Sequence, residues 1–154
     1  MAALSDYAES GLLNHIFRGS TFSKPSHIAI ALTSGVISDS DTGSTIPEIP
    51  SGINGSGTGY GRVSLGDPSS SGNSLWSQAA ANIAVGSGVI SNSGTIVFQT
   101  ALIDWGWVSG IAIVDDFHHG SGNLLMHATL ENPRIIYMGD GVSFDIDTLQ
   151  VSFK

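Results

Sequence analysis

The feature that most limits how this chain can fold is a two-residue apolar rhythm running from Lys24 towards the C-terminus. Ile28, Ile30 and Leu32 alternate with Ala29, Ala31 and Thr33, which predicts a strand with one bulky and one small face. The rhythm returns at Ile96/Phe98, Ile111/Ile113, Leu124/Met126/Ala128 and Ile135/Tyr137. It closes the chain at Val142/Phe144/Ile146 and Leu149/Val151/Phe153, where Asp147-Thr148 makes either one bent strand or a tight corner. Between the segments stand Gly94, Gly106, Gly120-Ser121-Gly122-Asn123, Asn132-Pro133 and Gly139-Asp140-Gly141. Strands at roughly 8–12-residue spacing with such turns predict a mainly β fold, an antiparallel β-sandwich or barrel-like domain. No internal repeat or coiled-coil heptad interrupts the pattern.

Three segments depart from it. Near the N-terminus, Asp6 and Glu9 suit a capping box, and Leu12, Leu13, Ile16 and Phe17 form one apolar stripe. With Arg18 at the negative end of the dipole and Gly19 as C-cap, they predict a short helix over about 6–18. One stripe on so short a helix must dock on a larger body. Residues 35–60 are polar and rich in Gly, Ser and Pro, and residues 66–74 are a shorter version. A loop of about 25 residues is uncommon inside a compact domain, so 35–60 is expected as a flexible arm that orders on a neighbour. The layout is then one domain over 1–154, with the β core at about 27–34 and 61–154.

Charge and composition narrow the chemistry. Only 12% of the residues are charged, against about 25% in an average domain. Thirteen acidic residues against five basic ones give a net charge of −8, which opposes nucleic acid and anionic membranes. No apolar run reaches the ~20 residues of a membrane span. The opening MAALSDYAES lacks a basic start and an apolar core, so secretion by the usual route is not expected. Cysteine is absent, which removes disulfides, thiolate metal sites and cysteine nucleophiles.

Each motif that invites a chemical reading has a plainer one. Gly55-Ser56-Gly57-Thr58-Gly59-Tyr60-Gly61 lacks the Gly-Lys-Ser/Thr ending of a phosphate loop and reads as a hinge. His118-His119 beside Asp115-Asp116 could supply metal ligands, but neighbours on a strand face opposite ways, and a solvated hairpin tip is expected. Asp39-Ser40-Asp41 and Asp145-Ile146-Asp147 lack the Gly and terminal Glu of a calcium loop. No Gly-x-Ser-x-Gly elbow precedes an acid and a histidine, and no carboxylate pair stands out for glycoside hydrolysis. Asp104-Trp105-Gly106-Trp107 suits a stacking surface for sugar or peptide. More simply, Trp105 folds over one end of the sheets and its indole N–H finds a backbone acceptor.

The ordered set of segments carries a resemblance. A helix with LLNHIFRG is followed by KPSHIAIALTS, a polar loop, a Gly-Tyr-Gly-Arg stretch, SNSGTIVFQTALIDWGWVSGIAIVD and GNLLMHATLENPRIIYMGDGVSFDIDTLQVSF. This resembles small tailed-phage virion proteins, many labelled tail-fibre proteins and some similar to capsid cement or decoration proteins. The resemblance spans nearly the whole chain except 35–50 and 66–88, and the apolar insert Ala79–Val85 departs from it. It implies a β-sandwich-like component of the phage particle, assembled in the bacterial cytoplasm, with no enzymatic activity and no cofactor.

The expected function is therefore a cement protein bridging capsomers of the major capsid protein. The alternative is a tail module, partnered by tail proteins, that binds a receptor or glycan. Homo-oligomers are expected in either case. Candidate contact residues are Leu12, Leu13, Ile16 and Phe17 on the helix, and Ile46, Ile49 and Tyr60 on the arm. Trp76, Trp105 and Trp107 complete the set, with Tyr60 and Trp76 as anchors.

Overall fold

A computed structural model describes residues 2–51, 57–68, 76 and 89–152. The apolar insert at 79–85, Gly55-Ser56 of the glycine-rich stretch and Phe153 lie outside the described residues.

The alternation at Ile28–Thr33 produces the central strand. In chain order the elements are β1 (Ala2–Leu4), α1 (Asp6–Phe17), β2 (Ala29–Thr33), β3 (Val63–Ser64) and β4 (Val89–Ser91). There follow β5 (Ile96–Val97), β6 (Gly106–Val114), β7 (Leu124–Ile136), β8 (Ser143–Phe144) and β9 (Gln150–Ser152). One antiparallel sheet runs β1-β7-β6-β2-β3, and two short antiparallel ladders pair β4 with β9 and β5 with β8. The fold is mainly β and antiparallel, with one short N-terminal helix.

All five residues of β2 are buried, so the sheet is covered on both sides there. Ile30 and Leu32 face the larger core with Leu65, Ile96, Phe98, Val108 and Ile111. Phe144 and Leu149 pack against it from β8 and the turn before β9, so the short ladders close over the bulky face. Ala29 and Ala31 face a smaller core with Ile46, Ala112, Val114 and Leu124. Small side chains on that side let the polar segment 35–51 lie close to the sheet.

That segment is not a free arm over its described part. Ser34 N donates to Pro47 O at 2.9 Å, Ile49 N to Leu32 O at 3.1 Å and Gly43 N to Gly122 O at 2.9 Å. Ile46 and Ile49 are buried, and so is Tyr60 further on. These three expected contact residues belong to the core. Gly43 is required by closeness: a Cβ there would stand 2.0 Å from Ser121 O.

The tie that brings this segment in is a buried ion pair. Arg62 and Glu48 have side chains 0% and 3% exposed. Arg62 Nε donates to Glu48 Oε1 at 2.9 Å and Nη2 to Glu48 Oε2 at 2.8 Å. Nη2 also donates to Gly43 O at 2.7 Å, and Nη1 to Asp116 O and Ser121 O at 2.8 Å each. All five guanidinium donors are thus used, which is the condition under which a buried charge is tolerated. The Tyr60 hydroxyl donates to Glu48 Oε1 at 2.8 Å and accepts from Leu32 N at 3.0 Å.

Burial, and then the charge of Glu48, raise the Tyr60 phenol well above its usual range. The folded protein keeps a proton that an unfolded tyrosine releases near pH 10. This contribution to stability is complete below about pH 10 and is lost as pH rises further. Unfolding curves from pH 8 to 11.5 should show a steeper alkaline loss for the native chain than for Tyr60→Phe. Parallel slopes would contradict the assignment.

The helix is held at its start. Ser5, not Asp6, is the N-cap, with Oγ accepting from Ala8 N at 3.2 Å. The same hydroxyl donates to Leu124 O, and Ser5 N donates to Leu125 O at 3.1 Å, so the cap is also the weld to β7. Asp6 serves in the first turn. Arg18 is the C-cap, and Gly19 follows it with φ +67°, the left-handed residue that commonly ends a helix.

Candidate interaction surface

The apolar stripe of α1 does not dock the helix. Ala8 is the buried residue of α1, and Leu12 is half-buried. Leu13, Ile16 and Phe17 are 56%, 66% and 74% exposed. With the helix fixed through Ser5, its later turns carry this stripe outward.

A second apolar surface forms where β6 begins and β7 ends. From Val108 to Gly110 the chain advances two positions on β6, while the paired residues on β7 run from Arg134 to Thr129. The extra β7 residues, which include Asn132-Pro133, form a bulge. The bulge resets which side faces inward: Val108 and Ile111, an odd step apart, both reach the large core. At the far end Ile136 is buried. Ile135 and Tyr137, expected inward, instead face out at 45% and 56% exposure, beside Trp107 at 50%. Trp107 and Ile135 are register partners.

Two turns complete and stiffen this surface. Met138 N donates to Asp104 Oδ1 at 2.8 Å and Tyr137 N to Asp140 Oδ2 at 2.9 Å. Gly139 N donates to Ala101 O at 2.8 Å, and Ala101 N to Asp140 O at 2.9 Å. The clipped turns present Leu102, Ile103 and Met138 beside Trp107, Ile135 and Tyr137, each exposed. Such pre-organised apolar and aromatic side chains are the usual anchors of protein contacts. Scattered exposed apolar residues need no explanation, but a contiguous cluster does.

Of the other expected contact residues, Trp105 is buried and its Nε1 donates to Thr58 O at 2.7 Å. It caps the core with Tyr60, ring centroids 5.4 Å apart and edge-on. Trp76 is half-buried against the large core and bridges Asn92. Leu102, Ile103, Ile135, Tyr137 and Met138 were not among the expected contacts. For Ile135 and Tyr137 the signal is that they stand out of phase with Ala128 and Leu130, which face the large core together with Ile136.

The polar motifs have structural employment. Asp39 Oδ1 pairs with His127 Nε2 at 2.8 Å, and Asp41 binds Ser38 N and the Thr45 hydroxyl. His118 turns to Asp116 while His119 Nε2 reaches Ile49 O at 3.0 Å. The backbone N–H of His118, then its ring, hold the Asp116 carboxyl below its ordinary range. Asp145 and Thr148 form the tight corner, where Asp147 has φ +64° and accepts from Ser91; Ile146 is exposed rather than inward. Among the described residues no cluster of His, Cys, Asp or Glu could hold a metal ion, and no helix is long and apolar enough to cross a membrane.

No curated protein matches the chain. Residues 3–152 match a protein family described as podophage GP4 fiber I protein gp80. The match takes in the β body, the helix and the exposed apolar end together. The chain belongs to this family of phage fibre proteins and is a structural constituent of the virion.

Proposed function

We propose that the protein is a non-enzymatic attachment unit of the phage fibre, docking on a neighbouring tail protein or another copy of itself. The carrying observation is the clipped apolar end formed by Leu102, Ile103, Trp107, Ile135, Tyr137 and Met138. A body fixed by the buried Arg62–Glu48 pair supplies a stiff mount. The family description speaks for a fibre. Purified virions labelled with gold-conjugated antibody should carry the label at the tail. Label spread over the head would overturn the fibre assignment.

A second reading is capsid cement, bridging capsomers of the major capsid protein. It is favoured by the exposed stripe Leu13, Ile16 and Phe17, because a clip needs two contact faces. α1 follows β1, which pairs at Leu4 with Met126, whereas the other face lies at Ile135. The two faces thus stand at opposite ends of β7. Under this reading, particles lacking the protein release DNA at a lower temperature than complete ones. Identical release profiles would remove it.

A further inference from the structure

Two apolar faces of the chain stay uncovered: the α1 stripe Leu13, Ile16 and Phe17, and the clipped end around Trp107, Ile135 and Met138. A helix stripe and a sheet face of this kind each need another element to bury against. Within one chain the two cannot meet. β7 has 13 residues, which sets its ends about 40 Å apart. α1 has 12 residues and is only about 18 Å long.

We propose that the α1 stripe of one copy docks on the clipped end of the next, so that copies join head to tail. This rests on the clipped end being a docking surface and names its partner as a second copy of this chain. Charge favours the pairing of unlike faces. Asp6 and Glu9 are exposed, and at seven and four residues before Leu13 they share the stripe side of α1. At the other face Arg134 is exposed beside Ile135. Helix against end brings carboxylates to a guanidinium, whereas helix on helix or end on end sets like charges together. A contact between unlike faces leaves one of each free on every pair, so it repeats from copy to copy. It gives length to a fibre whose sequence holds no coiled coil or internal repeat. A copy that loses the α1 stripe still docks by its own clipped end and caps the row.

The chain has no cysteine, so introduced thiols report the contact directly. Full-length Phe17→Cys and Met138→Cys chains, one carrying a mass tag, are mixed and mildly oxidised, both in concentrated solution and as assembled in virions. The native side chains at these positions are 74% and 69% exposed. Disulfides between unlike chains should exceed those between like chains about tenfold, because docking raises the local concentration of the unlike pair alone. A chain carrying both changes should give a ladder of multimers. Glu9→Arg in the Phe17→Cys chain should lower the mixed yield about three- to fivefold, and Arg134→Glu in the Met138→Cys chain should restore it. Cross-links confined to virions would support the contact as one made by assembled copies, provided the unlike pairing prevails. Equal yields of like and unlike disulfides, no disulfide in either setting, or a yield indifferent to Glu9→Arg would overturn the proposal. If these cross-links are absent while loss of Trp107 and Met138 still excludes the protein from virions, the clipped end docks on a different protein and only the head-to-tail contact fails.

Discussion

Replacing Arg62 by methionine is expected to lower the unfolding free energy by about 3–5 kcal/mol, the usual cost of leaving one half of a buried ion pair alone. Total stabilities lie near 5–15 kcal/mol, so the loss is a large fraction of the whole. Glu48 would stay 3% exposed without its partner, and the carbonyls of Gly43, Asp116 and Ser121 would lose their donor. Lysine does not rescue the site, since three donors cannot serve five acceptor positions spread around a planar fork. The double variant Arg62→Met/Glu48→Leu should recover part of the loss, because it removes the stranded charge, although Tyr60 then lacks its acceptor. Denaturant midpoints at unchanged slope are the readout. An Arg62→Met chain within about 0.5 kcal/mol of the native one, the range of ordinary surface changes, would show that the pair is not the tie we take it to be.

The second large effect is expected on assembly. Changing Trp107 and Met138 to serine should reduce incorporation into virions roughly 30-fold, corresponding to the loss of a contact anchor worth about 2 kcal/mol. Stability should stay within about 0.5 kcal/mol of native, since both side chains are half or more exposed and lie outside the core. Leu13→Ser/Phe17→Ser on α1 is the informative comparison. If the fibre reading holds, the helix variant incorporates far better than the Trp107 variant. If the protein bridges two neighbours as cement, both variants fail alike. Quantitative blotting of purified particles distinguishes the two patterns, and native incorporation of the Trp107/Met138 variant would contradict the docking end.

How much of this was legible in the sequence depends on the range of the interaction. Ile30 and Leu32 against Ala29 and Ala31 announced a two-faced central strand, because strand alternation is a local rule, and the faces lead to the two cores. The indole of Trp105 capping the core followed from its chemistry alone. Tyr60, Ile46 and Ile49 were misplaced on a free arm because the segment is polar by composition. What draws it inward is Arg62, and three of the five acceptors of Arg62 are backbone carbonyls, which leave no mark on residue identity. Ile135 and Tyr137 were assigned inward because they are apolar and alternate. The inward phase of β7, set by Ala128 and Leu130, continues instead to Ile136 and leaves Ile135 and Tyr137 on the surface. The helix stripe was legible as a stripe, but its direction is set by Ser5 bonding to β7, a contact distant in sequence.

The docking end is tested most directly by hydroxyl-radical footprinting of the protein, free and inside intact virions. Trp107, Tyr137 and Met138 are open in the free chain at 50%, 56% and 69% exposure, and all three side chains oxidise readily when reached by solvent. Assembly should protect these residues while Val36, 89% exposed on the other segment, stays as reactive as before. Equal oxidation of Trp107, Tyr137 and Met138 in the two states would contradict the account.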